Sequence, residues 1–200
     1  MASKKESNFL NMVLTLFIVA VVAALALGGV YSLTKEPIAI AKQKKLEAAI
    51  KAVLPDFDTI IETKVPDKSG DSLTFYYAEK KGKKVGTAIK TFSKEGFGGE
   101  IDILVGFLDD GTISNTVVLA QKETPGLGDK MSKSKSDFPD QFIGKNPATF
   151  KLYVKKDGGD VDAITAATIS SRAFCDALRR AYETFEKSQE SRVRNQESGN

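Results

Sequence analysis

Apolar positions change their spacing along this chain, and each change marks an element. From Ser7 to Thr34 no residue is charged, and Phe9 to Tyr31 is apolar apart from Asn11, Thr15 and small residues. A run of that length spans a hydrocarbon core of roughly 30 Å as one helix. From Pro37 to Leu54 the spacing is that of a half-buried helix. Leu46, Ala49, Ile50, Val53 and Leu54 share a stripe, Lys42, Gln43, Lys45 and Lys51 lie mostly off it, and Leu54-Pro55-Asp56 ends it. After a connector rich in Thr, Asp and Lys, extended segments follow. Leu73 to Glu79 and Lys84 to Ser93 read as strands around Lys81-Gly82. Glu100 to Leu108 and Thr112 to Ala120 form a second hairpin, for which Asp109-Asp110-Gly111 supplies the turn. Phe150 to Val154 reads as a further strand before Asp157-Gly158-Gly159-Asp160 turns the chain. Helical spacing returns near Ser170, with Phe174, Leu178, Ala181 and Phe185 on one face beside Ala173 and Ala177. Beyond Lys187 the chain is polar and is expected to fray. The expected architecture is α+β: an antiparallel sheet flanked by helices, preceded by one N-terminal transmembrane helix.

The apolar run has a competing reading as a cleaved signal peptide, with Lys4 and Lys5 as its basic start and Ala24-Leu25-Ala26 as a cleavage site. Leu27, Val30 and Tyr31 continue the run past that site, which favours a retained anchor. Charge does not settle its orientation, because Lys4 and Lys5 compete with Lys35, Lys42, Lys44 and Lys45.

Composition narrows the chemistry. With no His and a single Cys in 200 residues, the chain builds neither a Cys-His nor a Ser-His-Asp site, and it has no haem-attachment motif or His zinc ligand. A Thr-nucleophile hydrolase would likewise lack a His as its base. The acids are scattered without calcium-loop spacing. The 29 basic and 26 acidic residues alternate, which is a solvated face and not a nucleic-acid patch, Lys130, Lys133 and Lys135 being the nearest thing to one. Cys175 falls on the last helix, as a buried thiol.

Two stretches remain. In Asp162-Ala163-Ile164-Thr165-Ala166-Ala167-Thr168-Ile169-Ser170-Ser171-Arg172 an extended run meets the final helix at a corner of small residues and hydroxyls. Unpaired N–H groups in the first helical turn, with Thr168, Ser170 and Ser171 around them, suit a phosphate, and Ala166 and Ala167 leave room for a ligand. On spacing alone, an ordinary capped helix is the stronger reading of the corner. In Gln121-Lys122-Glu123-Thr124-Pro125-Gly126-Leu127-Gly128-Asp129-Lys130, Pro125-Gly126 fits the centre of a type II turn. Gly126 and Gly128 offer unobstructed N–H groups there, and Leu127 offers an apolar contact for an aromatic ring.

Asp162 to Thr168 resembles the D-x-x-[ST]-G-A-T motif of the FMN-binding domain shared by the G subunit of Rnf complexes and the C subunit of sodium-pumping NADH:quinone reductases. Ala166 stands where that family usually has Gly. Glu123-Thr124-Pro125-Gly126-Leu127-Gly128 is similar to the family's second hallmark. Gly96-Phe97-Gly98-Gly99 is similar to the G-[YF]-G-G run of the Rnf protein, and with the chain's short length it favours Rnf over the quinone reductase.

The resemblance implies that FMN is carried covalently, as a phosphoester on Thr168 made by a separate flavin transferase. It further implies cofactor contacts from Asp162, Thr165, Ala166, Ala167, Ser170, Glu123, Thr124, Gly126, Leu127, Gly128, Gly98 and Gly99. Electrons would pass to other subunits of a membrane complex, with no independent catalysis. The family organisation implies a cytoplasmic N-terminus over residues 1–8, a transmembrane helix over 9–31, an extracytoplasmic FMN-binding domain over 35–190 and a flexible tail over 191–200. The cytoplasmic membrane would hold that domain on its outer face. A non-redox anchored binding module is the reading from outside this family.

Overall fold

The computed structural model describes residues 8–197, with side chains through Ser191. Lys4 and Lys5, most of the expected cytoplasmic segment and the last three residues of the tail lie outside the described residues. The chain divides into two units, Met1–Lys45 and Leu46–Asn200.

Helix α1, Phe9–Val53, supplies the first unit through Lys45, and its last eight residues belong to the second. Every described side chain as far as Lys45 is exposed. A helix that is apolar on all sides is stable in lipid and not in water, and by length and composition α1 is able to cross a membrane. Two helices were expected here, 9–31 and 37–54, and the structure joins them with Pro37 inside α1. Proline at this position deprives the Leu33 carbonyl of its usual donor. The turns on either side keep theirs, and Thr34 Oγ1 donates to the Val30 carbonyl at 2.8 Å.

In the second unit five antiparallel strands lie in chain order: β1 (Thr59–Pro66), β2 (Ser72–Lys80), β3 (Lys83–Gly96), β4 (Gly99–Phe107) and β5 (Ile113–Ala120). Both expected hairpins are present. From Ile103 to Phe107 every residue of β4 is buried, because both sheet faces are covered. On one face helix α2, Thr168–Glu197, lays Phe174, Leu178, Ala181 and Phe185 over Phe75, Ile89, Val105 and Phe107. Phe75, Ile89 and Val105 are paired in register, so they form one row beneath it. Thr91 Oγ1 donates to the Ala177 carbonyl at 2.9 Å, and Ser93 Oγ to Asp176 Oδ2 at 2.7 Å, which fixes the helix along β3. On the other face the end of α1, Ala49, Ile50 and Val53, with Leu54, packs on Tyr76, Ala78, Ala88 and Leu104. Gly106 permits that approach, since a Cβ there would lie 1.9 Å from the Val53 carbonyl oxygen.

Three expectations are corrected. Strand β1 occupies the connector that showed no strand pattern, because an edge strand exposed at most positions needs little apolar alternation. Phe150 to Val154 is not a strand. Its Leu152 and Val154 are buried, but Val154 makes only an isolated bridge to Val161, and the Lys151 N–H turns to Asp160 Oδ2 at 2.7 Å. Helix α2 begins at Thr168, two residues before Ser170, and continues to Glu197, past its last core contact at Phe185, because residues 188–197 are mostly good helix formers.

The corner before α2 is a tight turn closed by the Ala167 N–H to the Ile164 carbonyl at 3.0 Å. Buried Ser171 ties it down, accepting from the Ile164 N–H at 2.9 Å and donating to the Ala167 carbonyl at 3.0 Å. Ala166 sits inside this turn at φ +60°, a left-handed conformation that a Cβ makes unfavourable. Replacing Ala166 by Gly should therefore raise stability by about 1 kcal/mol, read as a higher urea midpoint; an unchanged or lower midpoint would show that the corner is not strained.

Cys175 on α2 is fully buried, and burial pushes its thiol up to about 12 from its ordinary value near 9. Being protonated at pH 8, it should resist N-ethylmaleimide in the native chain and react once urea unfolds it; rapid native labelling would contradict this packing.

Candidate functional site

Three chain segments meet at a cleft of about 360 Å³, a volume suited to a small ligand. Phe97, from the turn joining β3 to β4, stands at one side. Glu123, Thr124, Leu127 and Gly128 come from the loop after β5, and Ala166 to Ser170 bring the start of α2.

The loop takes its shape from the Pro125-Gly126 turn. The Leu127 N–H donates to the Thr124 carbonyl at 3.1 Å, and Gly126 has φ +78°, as a type II turn requires at its third position. Gly128 lets the loop press against α2, because a Cβ there would lie 2.4 Å from Ser170 Oγ and 2.5 Å from Glu123 Oε2. Gly98 packs just as closely on the loop, where a Cβ would meet the Lys122 carbonyl oxygen at 1.9 Å.

Glu123 joins all three segments. It is only 5% exposed, its Oε1 accepts the Gly98 N–H at 3.0 Å, and its Oε2 accepts the Ser170 hydroxyl at 2.5 Å. Thr168 is the first helical residue of α2 and is half-buried on the cleft wall. The N–H groups of Thr168, Ile169 and Ser170 belong to the first turn and have no carbonyl of their own helix to bond, so the wall carries partial positive charge and a hydroxyl together. Phe97, Leu127 and Ile169 are 70%, 40% and 48% exposed, an apolar rim in position to contact a flat ring. Among the described lining residues there is no Lys or Arg. Arg172, one turn along the helix, makes a bidentate pair with Asp157 at 2.7 Å, and that hydrogen-bonded guanidinium holds the Asp157 carboxyl below its usual range.

The structure thus brings Glu123, Thr124, Leu127, Gly128, Ala166, Ala167, Thr168 and Ser170 to one cleft. Asp162 and Thr165 line a neighbouring cleft with Lys130, Phe138 and Gln141. There the Asp162 carboxylate pairs with Lys155 Nζ at 2.8 Å, and its N–H donates to Gln141 Oε1 at 2.8 Å. Gly126 is the apex of the loop turn, while Gly98 and Gly99 hold the Phe97 turn, and none of the three lines the main cleft. Phe97 and Ile169 were not singled out from the sequence. The available signals were an aromatic residue among glycines and an apolar residue off the core stripe of α2.

The donor set and shape fit FMN: a helix N-terminus with a hydroxyl for the phosphate, and an apolar rim for the ring. Comparison with known proteins agrees. A family model described as FMN-binding domain matches residues 96–183, and one described as RnfG N-terminal region matches residues 1–53. The chain is similar to proteins named as the G subunit of the ion-translocating oxidoreductase complex in several bacteria. Identity to that of Aliivibrio fischeri is 34% over 192 residues, 90% of each chain. For Shewanella oneidensis it is 33% over 168 residues, 78% of this chain and 79% of the relative. For Vibrio cholerae it is 35% over 192 residues, 86% of this chain and 90% of the relative. At that identity over nearly the whole length, with both family regions matched in their order along the chain, this protein belongs to the G-subunit family of ion-translocating oxidoreductase complexes.

Proposed function

We propose that this chain is a membrane-anchored flavoprotein subunit that carries FMN covalently on Thr168 and passes electrons within an ion-translocating ferredoxin:NAD oxidoreductase complex. The observation that carries this is the position of Thr168, the first residue of α2, on the wall of a cleft whose other walls are the Glu123 loop and Phe97. FMN supplies reversible uptake and release of electrons when bound. The match to the RnfG N-terminal region supports placing the chain in the Rnf complex and not in the sodium-pumping quinone reductase.

The electrostatics favour a covalent link. A free phosphate monoester carries a charge near −2 at neutral pH, and a helix N-terminus supplies roughly +0.5 against it. With no Lys or Arg among the described lining residues and the Glu123 carboxylate nearby, that charge is poorly compensated. Esterification through the Thr168 hydroxyl removes one ionisable oxygen and makes the helix terminus a sufficient partner. The ester also prevents loss of the cofactor outside the cytoplasmic membrane, where this reading places residues 35–190. A separate flavin transferase makes the bond, and the remaining subunits donate and accept the electrons. Within the cleft, Leu127, Phe97 and Ile169 shield the ring from water, while Ser170 and Glu123 keep the loop against the helix.

Thr168→Val keeps the β-branched shape and removes the oxygen, so it should fold normally and carry no covalent flavin. Thr165 lines the neighbouring cleft, so Thr165→Val should retain the flavin. Mass spectrometry of chains co-expressed with the transferase should find one FMN on the peptide containing Thr168; an unmodified peptide, or equal labelling of Thr168→Val, would falsify the assignment.

The placement of the domain is tested separately. Protease added to spheroplasts should digest residues 35–190 while the segment before Phe9 stays protected. Digestion only after the membrane is broken would put the domain on the other side.

A further inference from the structure

We infer that Glu123 is both the positioning residue of the cleft and its fixed negative charge, so that it holds the two loops to α2 and opposes build-up of negative charge on the bound ring. This rests on the flavin reading above. Both carboxylate oxygens act as acceptors, one for the Gly98 N–H and one for the Ser170 hydroxyl, which are contributed by different segments. Two glycines make room for the group. A Cβ on Gly96 would lie 2.7 Å from Oε1, and one on Gly128 would lie 2.5 Å from Oε2. Glu123 nevertheless forms no ion pair with a described residue at a cleft that is otherwise uncharged.

A buried carboxylate with two hydrogen bonds and no cation is costly. The cross-link alone does not require it. A glutamine would accept from the Gly98 N–H through Oε1 and donate through Nε2 to Ser170 Oγ, which turns to accept. What the carboxylate adds is charge on the wall of the cleft itself and away from bulk water, where it acts strongly. An electron entering the ring adds one negative charge, which Glu123 disfavours unless a proton from solvent follows. Its effect is to lower the reduction potential and to couple electron uptake to proton uptake.

The test uses the full-length chain in detergent, with Glu123→Gln and Glu123→Ala. In protein made without the transferase, hydrogen exchange of the peptide bearing Gly98 should be slow in the wild type and Glu123→Gln, and at least about tenfold faster in Glu123→Ala. Equal protection in all three would overturn the positioning role. In flavin-loaded protein, potentiometric titration should show Glu123→Gln easier to reduce by about tenfold in the equilibrium constant, about 59 mV for a one-electron step, with a shallower dependence on pH. An unchanged potential would overturn the charge role. So would loss of loading in Glu123→Gln, because the charge would then serve attachment and not the ring. A wild-type Thr168 peptide without FMN would sink the flavin reading instead, and the exchange measurement would still decide whether Glu123 positions the loops.

Discussion

Burial of one stripe of α2 against the centre of the sheet fixes everything that surrounds the cleft. Phe174, Leu178 and Ala181 are fully buried, Phe185 nearly so, and each large side chain among them contributes roughly 1.5–3 kcal/mol by leaving water. Phe185 stacks on Phe107 and Phe174 on Phe142, with ring centroids 5.0 and 5.1 Å apart, so the helix can neither slide nor rotate without separating aromatic pairs. With the helix axis fixed, the position of its first turn follows. The cleft is therefore a by-product of core packing, finished by the Ser171 tie and the Glu123 clamp. The α1 end covers the opposite sheet face and leaves this side free.

The parts of the fold that were legible in the sequence are those where burial imposes a period. The two hairpins and the core stripe of α2 were visible because their apolar positions must face a fixed surface. Strand β1 was not, because an edge strand with mostly exposed residues has nothing to pattern against. Leu152 and Val154 misled for the opposite reason. They alternate like a strand, but they are buried by a tight loop instead of a neighbouring strand.

At the cleft, sequence motifs identified which segments meet and could not sort residues within a segment. Asp162 and Thr168 belong to one seven-residue string, yet the turn at Ala166 sends them to different clefts. Gly128 read as bare backbone offered to a ligand, and Gly98 as a cofactor contact implied by the resemblance. In the folded chain each is a contact point between segments, where the missing side chain makes room for a carbonyl or a carboxylate. Glu123 carried no visible sign of its partners, because Gly98 and Ser170 lie 25 and 47 residues away and meet it only in three dimensions.

The order of the strands has a consequence for the timing of maturation. Each strand pairs with the next in sequence, so the sheet is able to form hairpin by hairpin as the chain emerges from synthesis. Thr168 behaves differently, because it lies on the last element and its cleft needs a loop some forty residues upstream together with a turn some seventy upstream. No partial chain ending before α2 contains the site. Under the covalent attachment proposed above, a modifying enzyme that recognises the assembled corner would act only on finished molecules, and the bond would be a chemical record that folding has been completed.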